Sequence, residues 1–184
     1  MNMSMMSPAA TVAMMVAMML PSFAPTLWAY RRQLRTMRTP RAGQRTTLFA
    51  LGYASVWAAI GLARSALPAL RVAPWALGTV VLCAGALQRS QWKARQLVRC
   101  RHVSVEARGV VSAWRDGCQL GIDCSLSCVA PMAVLSVAGL MDIRVMVLVT
   151  AAITAERVAR AGARIARVTG GLALIAGLVL CLRG

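Results

Sequence analysis

Apolar residues run in long unbroken blocks along the chain, and the charged residues, nearly all basic, fall between the blocks instead of alternating within them. A surface helix of a soluble domain shows polar positions every three or four residues, whereas about 20 consecutive apolar residues make a bilayer crossing. The pattern predicts six spans, at residues 8–30, 46–64, 73–88, 117–140, 143–162 and 168–182, in a single transmembrane domain covering 1–184. The third and sixth are short. The expected fold class is an all-α integral membrane protein, a bundle of about six transmembrane helices. Pro21 and Pro25 lie in the first block, where each removes a helix hydrogen bond, so a bend or an interruption is expected there.

Composition agrees: 59% of residues are hydrophobic and mean hydropathy is +0.64, too apolar for an ordinary soluble domain. The formal net charge of +16 raises the question of nucleic acid. No basic face forms, however, so a nucleic-acid partner is not expected. Seventeen of the 21 Lys and Arg residues fall in segments 31–45, 89–115 and 157–167, which alternate with the four remaining, Arg64, Arg71, Arg144 and Arg183. That alternation matches six spans and puts both termini on the non-cytoplasmic side, with segment 31–45 lying against anionic headgroups. Residues 1–29 are apolar, but six arginines follow and no basic region precedes, the reverse of a cleaved signal peptide.

Candidate chemistry centres on sulfur. Cys124 and Cys128, with Met132 one turn further, share a face of the fourth span, because residues four apart stack on a helix. Thiolates and thioethers held away from water select soft metals, Cu(I) among them. Met14 with Met18 and Met15 with Met19 repeat the spacing in the first span. Both sets have a second reading as packing residues, and spacing alone leaves the choice open. Cys83 and Cys181 read as packing residues and Cys118 as an interface cysteine. Disulfides are not expected, since most of the six cysteines map to spans or to the cytoplasmic side. Met1, Met3, Met5 and Met6 fit either a soft-metal collecting arm or a disordered terminus.

An ionisable group inside a span costs about 2.5–3.5 kcal/mol on insertion scales and normally faces protein or water. Asp123 adjoins Cys124, and Glu156 lies in the fifth span, at a depth where the two neighbouring helices bring it level with Cys124. Glu156 is therefore grouped with the metal candidates; the alternative is an ion pair with Arg157 or Arg160. His102 is the sole histidine, which excludes a His-rich metal or haem site. Asp142 and Arg144 fit a local ion pair in a short turn. The series Trp92, Leu97, Cys100 and Val103 fits an interfacial amphipathic helix or a basic loop anchored by Trp92 and Trp114. No nucleophile–base pair, dinucleotide loop or P-loop is present, so no enzyme activity and no catalytic residue is expected.

The segments MMVAMMLPSFAP (14–25), LFALGYASVWAAIG (48–61), AGALQRSQWK (84–93), DCSLSCVAPM (123–132), AGLMDIRVM (138–146) and AER (155–157) occur in order. In these the chain resembles the predicted metal-binding integral membrane proteins called domain of unknown function 2182. The resemblance runs from Met14 to Leu180 and implies the fold and a metal association. The chain departs from that family's pattern in several places. Where the family's cysteine helix carries a Cys, two adjacent Cys and a Trp, this chain has Cys124, Ser127, Cys128 and Val129. Gln91, Gln96 and Cys100 stand where the loop after the third span has a Pro and two Cys, and Leu120 where a His is common. The family's usual span upstream of the AMMLPS segment is not read here, so the chain looks like a reduced member.

Two functions remain open. One is a protein of the bacterial inner membrane that handles copper, taking Cu(I) at Cys124, Cys128, Met132 and the Met14–Met19 cluster and supporting a membrane or periplasmic cuproenzyme. The other is a non-catalytic accessory subunit, packed through small-residue faces such as 161–166 and 171–177 against other membrane-protein subunits and lipid.

Overall fold

The structure, a computed structural model, describes residues 7–66, 74–101, 110–138, 143–159 and 161–183. Among these it has seven helices: α1 (Pro8–Thr36), α2 (Ala42–Ala66), α3 (Pro74–Arg89), α4 (Gln91–Arg101), α5 (Val110–Ala138), α6 (Ile143–Val158) and α7 (Gly162–Arg183). Four contain segments long and apolar enough to cross a membrane: Pro8–Thr36, Ala42–Ala66, Val111–Leu135 and Gly162–Leu182. The other two expected spans correspond to α3 and α6, each 16 residues, or roughly 24 Å at 1.5 Å per residue. The chain forms two compact units. One contains α1, α2, the end of α4 from Arg99, and α5 up to Ser125; the other contains α3, α4 up to Val98, α5 from Leu126, α6 and α7.

In the first unit, the Ser7 side chain caps α1 by accepting from the Ala10 N–H at 3.2 Å, and Pro8 sits where its missing N–H costs nothing. The helix then continues unbroken through Pro21 and Pro25, so the interruption expected from the prolines is absent. Phe23, between them and 3% exposed, is clamped face to face on Tyr53 at 4.1 Å. Packing of that kind outweighs two lost hydrogen bonds. Past Thr36, Arg38 takes a left-handed conformation (φ 48°) and the Thr39 N–H reaches back to the Leu34 carbonyl at 3.1 Å. This is the closure usually made by glycine.

That turn returns α2 antiparallel to α1. Tyr30 stacks on Phe49 at 4.1 Å, Phe23 on Tyr53 further along, and Gly61 lies against Val12. By contrast, α2 and α5 run parallel: Phe49 meets Gly117, Val56 meets Gly121, and Tyr53 meets Cys124. The helices touch backbone to backbone, because a Cβ on Gly117 would collide with the Phe49 carbonyl and one on Gly52 with the Trp114 carbonyl. Small residues permit this approach.

In the second unit, α3 and α7 form an antiparallel pair in which Gly78 lies by Cys181, Leu82 by Gly177 and Gly85 by Leu174. The helix α6 also packs against α7. The distribution of polarity is inverted relative to a soluble domain. Val168, Leu172, Ile175 and Leu182 on α7 are 63%, 63%, 64% and 78% exposed, while Gln88, Lys93 and Glu156 are buried. The helix α4 buries Lys93, Gln96, Leu97 and Cys100. Leu97 and Cys100 of the Trp92-led series read from the sequence thus lie on the buried face, joined there by Lys93 and Gln96, whereas Trp92 itself is partly exposed.

Candidate functional site

Cys124 and Cys128 stand one turn apart on α5, 0% and 1% exposed, with Met132 half-buried a turn beyond. The four-residue spacing therefore delivers two buried thiols on one helix face. In the first unit the Tyr53 hydroxyl lies 3.2 Å from the Cys124 sulfur, and Ser55 Oγ lies 3.9 Å from Cys118. Tyr53 is fixed by its stack on Phe23 and by tilted contact with Trp57. A phenol held there can donate to a thiolate and stabilise its charge. In the second unit Cys128 has Ser127 Oγ at 3.6 Å. All six cysteines lie among the described residues, and none is bridged in a disulfide.

Of the methionine cluster, Met15, Met18 and Met19 are buried in the first unit and Met14 is half-buried. The Met15–Met19 pair lies wholly inside. Among the described residues no three His, Cys, Asp or Glu side chains converge as a metal site. As a donor type, the thiols and thioethers of these residues suit soft ions such as Cu(I) and suit hard cations poorly.

Glu156 has polar partners within the second unit. Its carboxylate lies 2.9 Å from the Lys93 ammonium, accepts from Thr169 Oγ1 at 2.8 Å and accepts from Gln88 Nε2. Lys93 also donates to the Ser127 carbonyl. Lys93 is therefore a charge partner of Glu156 across the helices, and Arg160 lies outside the described residues. Four side chains from α3, α4, α6 and α7 meet the backbone of α5 in one polar knot. A buried charge in such a place persists only when paired and hydrogen-bonded.

Sequence reading missed Lys93, Gln88, Thr169 and Tyr53. Lys93 falls in a basic segment between apolar blocks, yet it is the sole lysine beside 20 arginines. That singularity was a usable signal, since a compact ammonium on a flexible stem reaches into a bundle where a planar guanidinium fits poorly. Met1, Met3, Met5, Met6, His102, Val103 and Asp142 lie outside the described residues.

Fold and site together define, among the described residues, an all-helical architecture with helices of membrane-spanning length and a sulfur-bearing buried face. A family model described as PpoB2, copper chaperone, matches residues 8–180. The chain belongs to this copper-chaperone family. No curated protein and no solved structure matches it.

Proposed function

We propose that the protein is a six-span integral membrane copper chaperone, which takes Cu(I) on the Cys124–Cys128 face of α5 and yields it to a cuproenzyme at or beyond the inner membrane. The burial of both thiols one turn apart carries this reading. Each thiol that ligates releases its proton, so loading exchanges H⁺ for Cu(I) and transfer reverses the exchange. Met132 and the Met14, Met15, Met18 and Met19 cluster supply neutral thioether donors. These hold Cu(I) without deprotonation and let it move between thiolates by ligand exchange. The domain-of-unknown-function resemblance is in keeping with such a metal association.

The helix directions support six crossings. Parallel packing of α2 and α5 requires an odd number of crossings between them, a role for α3. Antiparallel packing of α3 with α7 fits the same alternation. The exposed apolar stripe of α7 supports lipid contact, and the basic segments support non-cytoplasmic termini.

Glu156, grouped with the sulfur donors on sequence grounds, has a counter-charge of the protein's own in Lys93. We assign it to holding the bundle. That knot also favours a second reading, an accessory subunit of a membrane complex with no cargo. Elemental analysis of the purified chain after anaerobic Cu(I) loading separates the two: at least one equivalent supports the chaperone, and none supports the subunit.

A further inference from the structure

A cavity of about 270 Å³ opens in the second unit where the α3–α4 corner meets α7. Its polar lining is Arg89, Lys93, Arg167, Gln88, Ser90 and Gln91, with Ala163 and Ala166 leaving the room. We propose that this cavity binds a phosphate-type anion, either the headgroup of an anionic phospholipid or free phosphate.

Charge makes the first case. Three cationic side chains from three helices line the cavity and no carboxylate does. Among the described residues of this unit the sole carboxylate is Glu156, already engaged by Lys93. Arg89 and Arg167 donate to main-chain carbonyls, Arg89 to that of Arg167 at 3.5 Å and Arg167 to that of Ala163 at 3.3 Å. Each guanidinium has further N–H groups to offer, in the planar fork that fits phosphate oxygens. Two like charges side by side repel until an anion joins them.

Hydrogen bonding makes the second case. Gln88 is 7% exposed, and its Oε1 is buried with no donor among the described residues, while its amide nitrogen serves Glu156 and Thr169. A buried acceptor left without a donor costs about 1–3 kcal/mol. Because Gln88 lines the cavity, a phosphoglycerol hydroxyl or a protonated phosphate oxygen is the kind of donor that a small shift of this side chain would meet. The N-terminus of α4 lies at the same corner, with Ser90 Oγ accepting from the Lys93 N–H at 3.2 Å. Its dipole adds positive potential. No cysteine or methionine lines the cavity. Its lipid form rests on the membrane reading above, and its free-phosphate form does not.

The test uses the full chain purified in mild detergent. Native mass spectrometry with dioleoyl phosphatidylglycerol, against phosphatidylcholine, reads lipid retention; thermal unfolding in inorganic phosphate, against chloride of equal ionic strength, reads free-anion binding. Arg89→Gln with Arg167→Gln is expected to weaken binding about tenfold for each guanidinium removed. Ala163→Leu, which fills the cavity and keeps the charges, should do likewise. Arg31→Gln with Arg32→Gln on α1 should change nothing. Loss of phosphatidylglycerol retention alone identifies a lipid site, and loss of phosphate protection alone identifies a free-anion site. If neither ligand binds the wild type, or if the cavity variants bind as the wild type or no worse than the α1 control, the proposal is overturned. Should the double glutamine variant fail to fold, Ala163→Leu decides. Copper loading reports on the thiols independently, so either result stands without the other.

Discussion

Lys93 and Glu156 lie 2.9 Å apart with side chains 3% and 1% exposed, and each has a further partner inside the second unit, Ser127 for the lysine and Thr169 for the glutamate. Two charges so shielded offset each other's desolvation, and neither can lose the other cheaply.

Removing one member should therefore cost more than removing both. Glu156→Gln or Lys93→Met is expected to destabilise the chain by about 3–5 kcal/mol, whereas Lys93→Met with Glu156→Leu should recover most of it. Thermal unfolding in detergent reads the difference. Silent single variants would mean that the pair does not hold the bundle. Copper content of the double variant should equal that of the wild type.

Copper binding should depend on the α5 thiols. Cys124→Ser with Cys128→Ser is expected to lose at least one equivalent of Cu(I), because a hydroxyl does not replace a thiolate on a soft ion. Cys83→Ser should leave the stoichiometry intact. Equal loss from both would show that the effect is not specific to the face.

Tyr53→Phe isolates one oxygen atom. The ring stack on Phe23 remains, so the variant should fold with stability within about 1.5 kcal/mol of the wild type, the net worth of one hydrogen bond. Cu(I) affinity should fall about three- to tenfold, since the phenol no longer donates to the Cys124 thiolate. Unchanged affinity, measured by competition with a Cu(I) chelator, removes Tyr53 from the site.

Topology can be read by thiol labelling of intact cells. A cysteine introduced at Gly43, where a Cβ meets nothing within 4 Å, should resist an impermeant reagent. One introduced at Asn2 should react. The opposite pattern inverts the orientation.

Close helix contact predicts a packing cost on both sides of the chain. Gly117→Val drives a side chain into the Phe49 carbonyl, and Gly85→Val meets Leu174 and the Gly170 carbonyl at 2.9 Å. Each is expected to lower stability by about 1–3 kcal/mol or more. Gly43→Val, in open space, is the control.

Much of the helix layout was legible because long apolar blocks admit little else. The block read at 73–88 is α3, Pro74–Arg89. The first helix runs past residue 30 to Thr36 because arginine stems extend along a helix while their heads reach water; hydropathy alone stops it too early. Of the bend or interruption expected at Pro21 and Pro25, the interruption does not occur, since packing that the sequence does not display keeps the helix continuous. The sulfur face of α5 followed directly from four-residue spacing.

By itself the sequence determined the helical class, the basic segments and which sulfurs share a face, because each follows from local periodicity and composition. Tertiary structure alone decided that Tyr53 stands against Cys124 across 71 residues of chain, that Lys93 leaves the basic cluster to neutralise Glu156, and that Arg89 and Arg167 line one cavity. Such pairings depend on which helices pack and in which direction. Here that was set by glycines whose missing side chains let backbones touch, a property of two surfaces together and of neither segment alone.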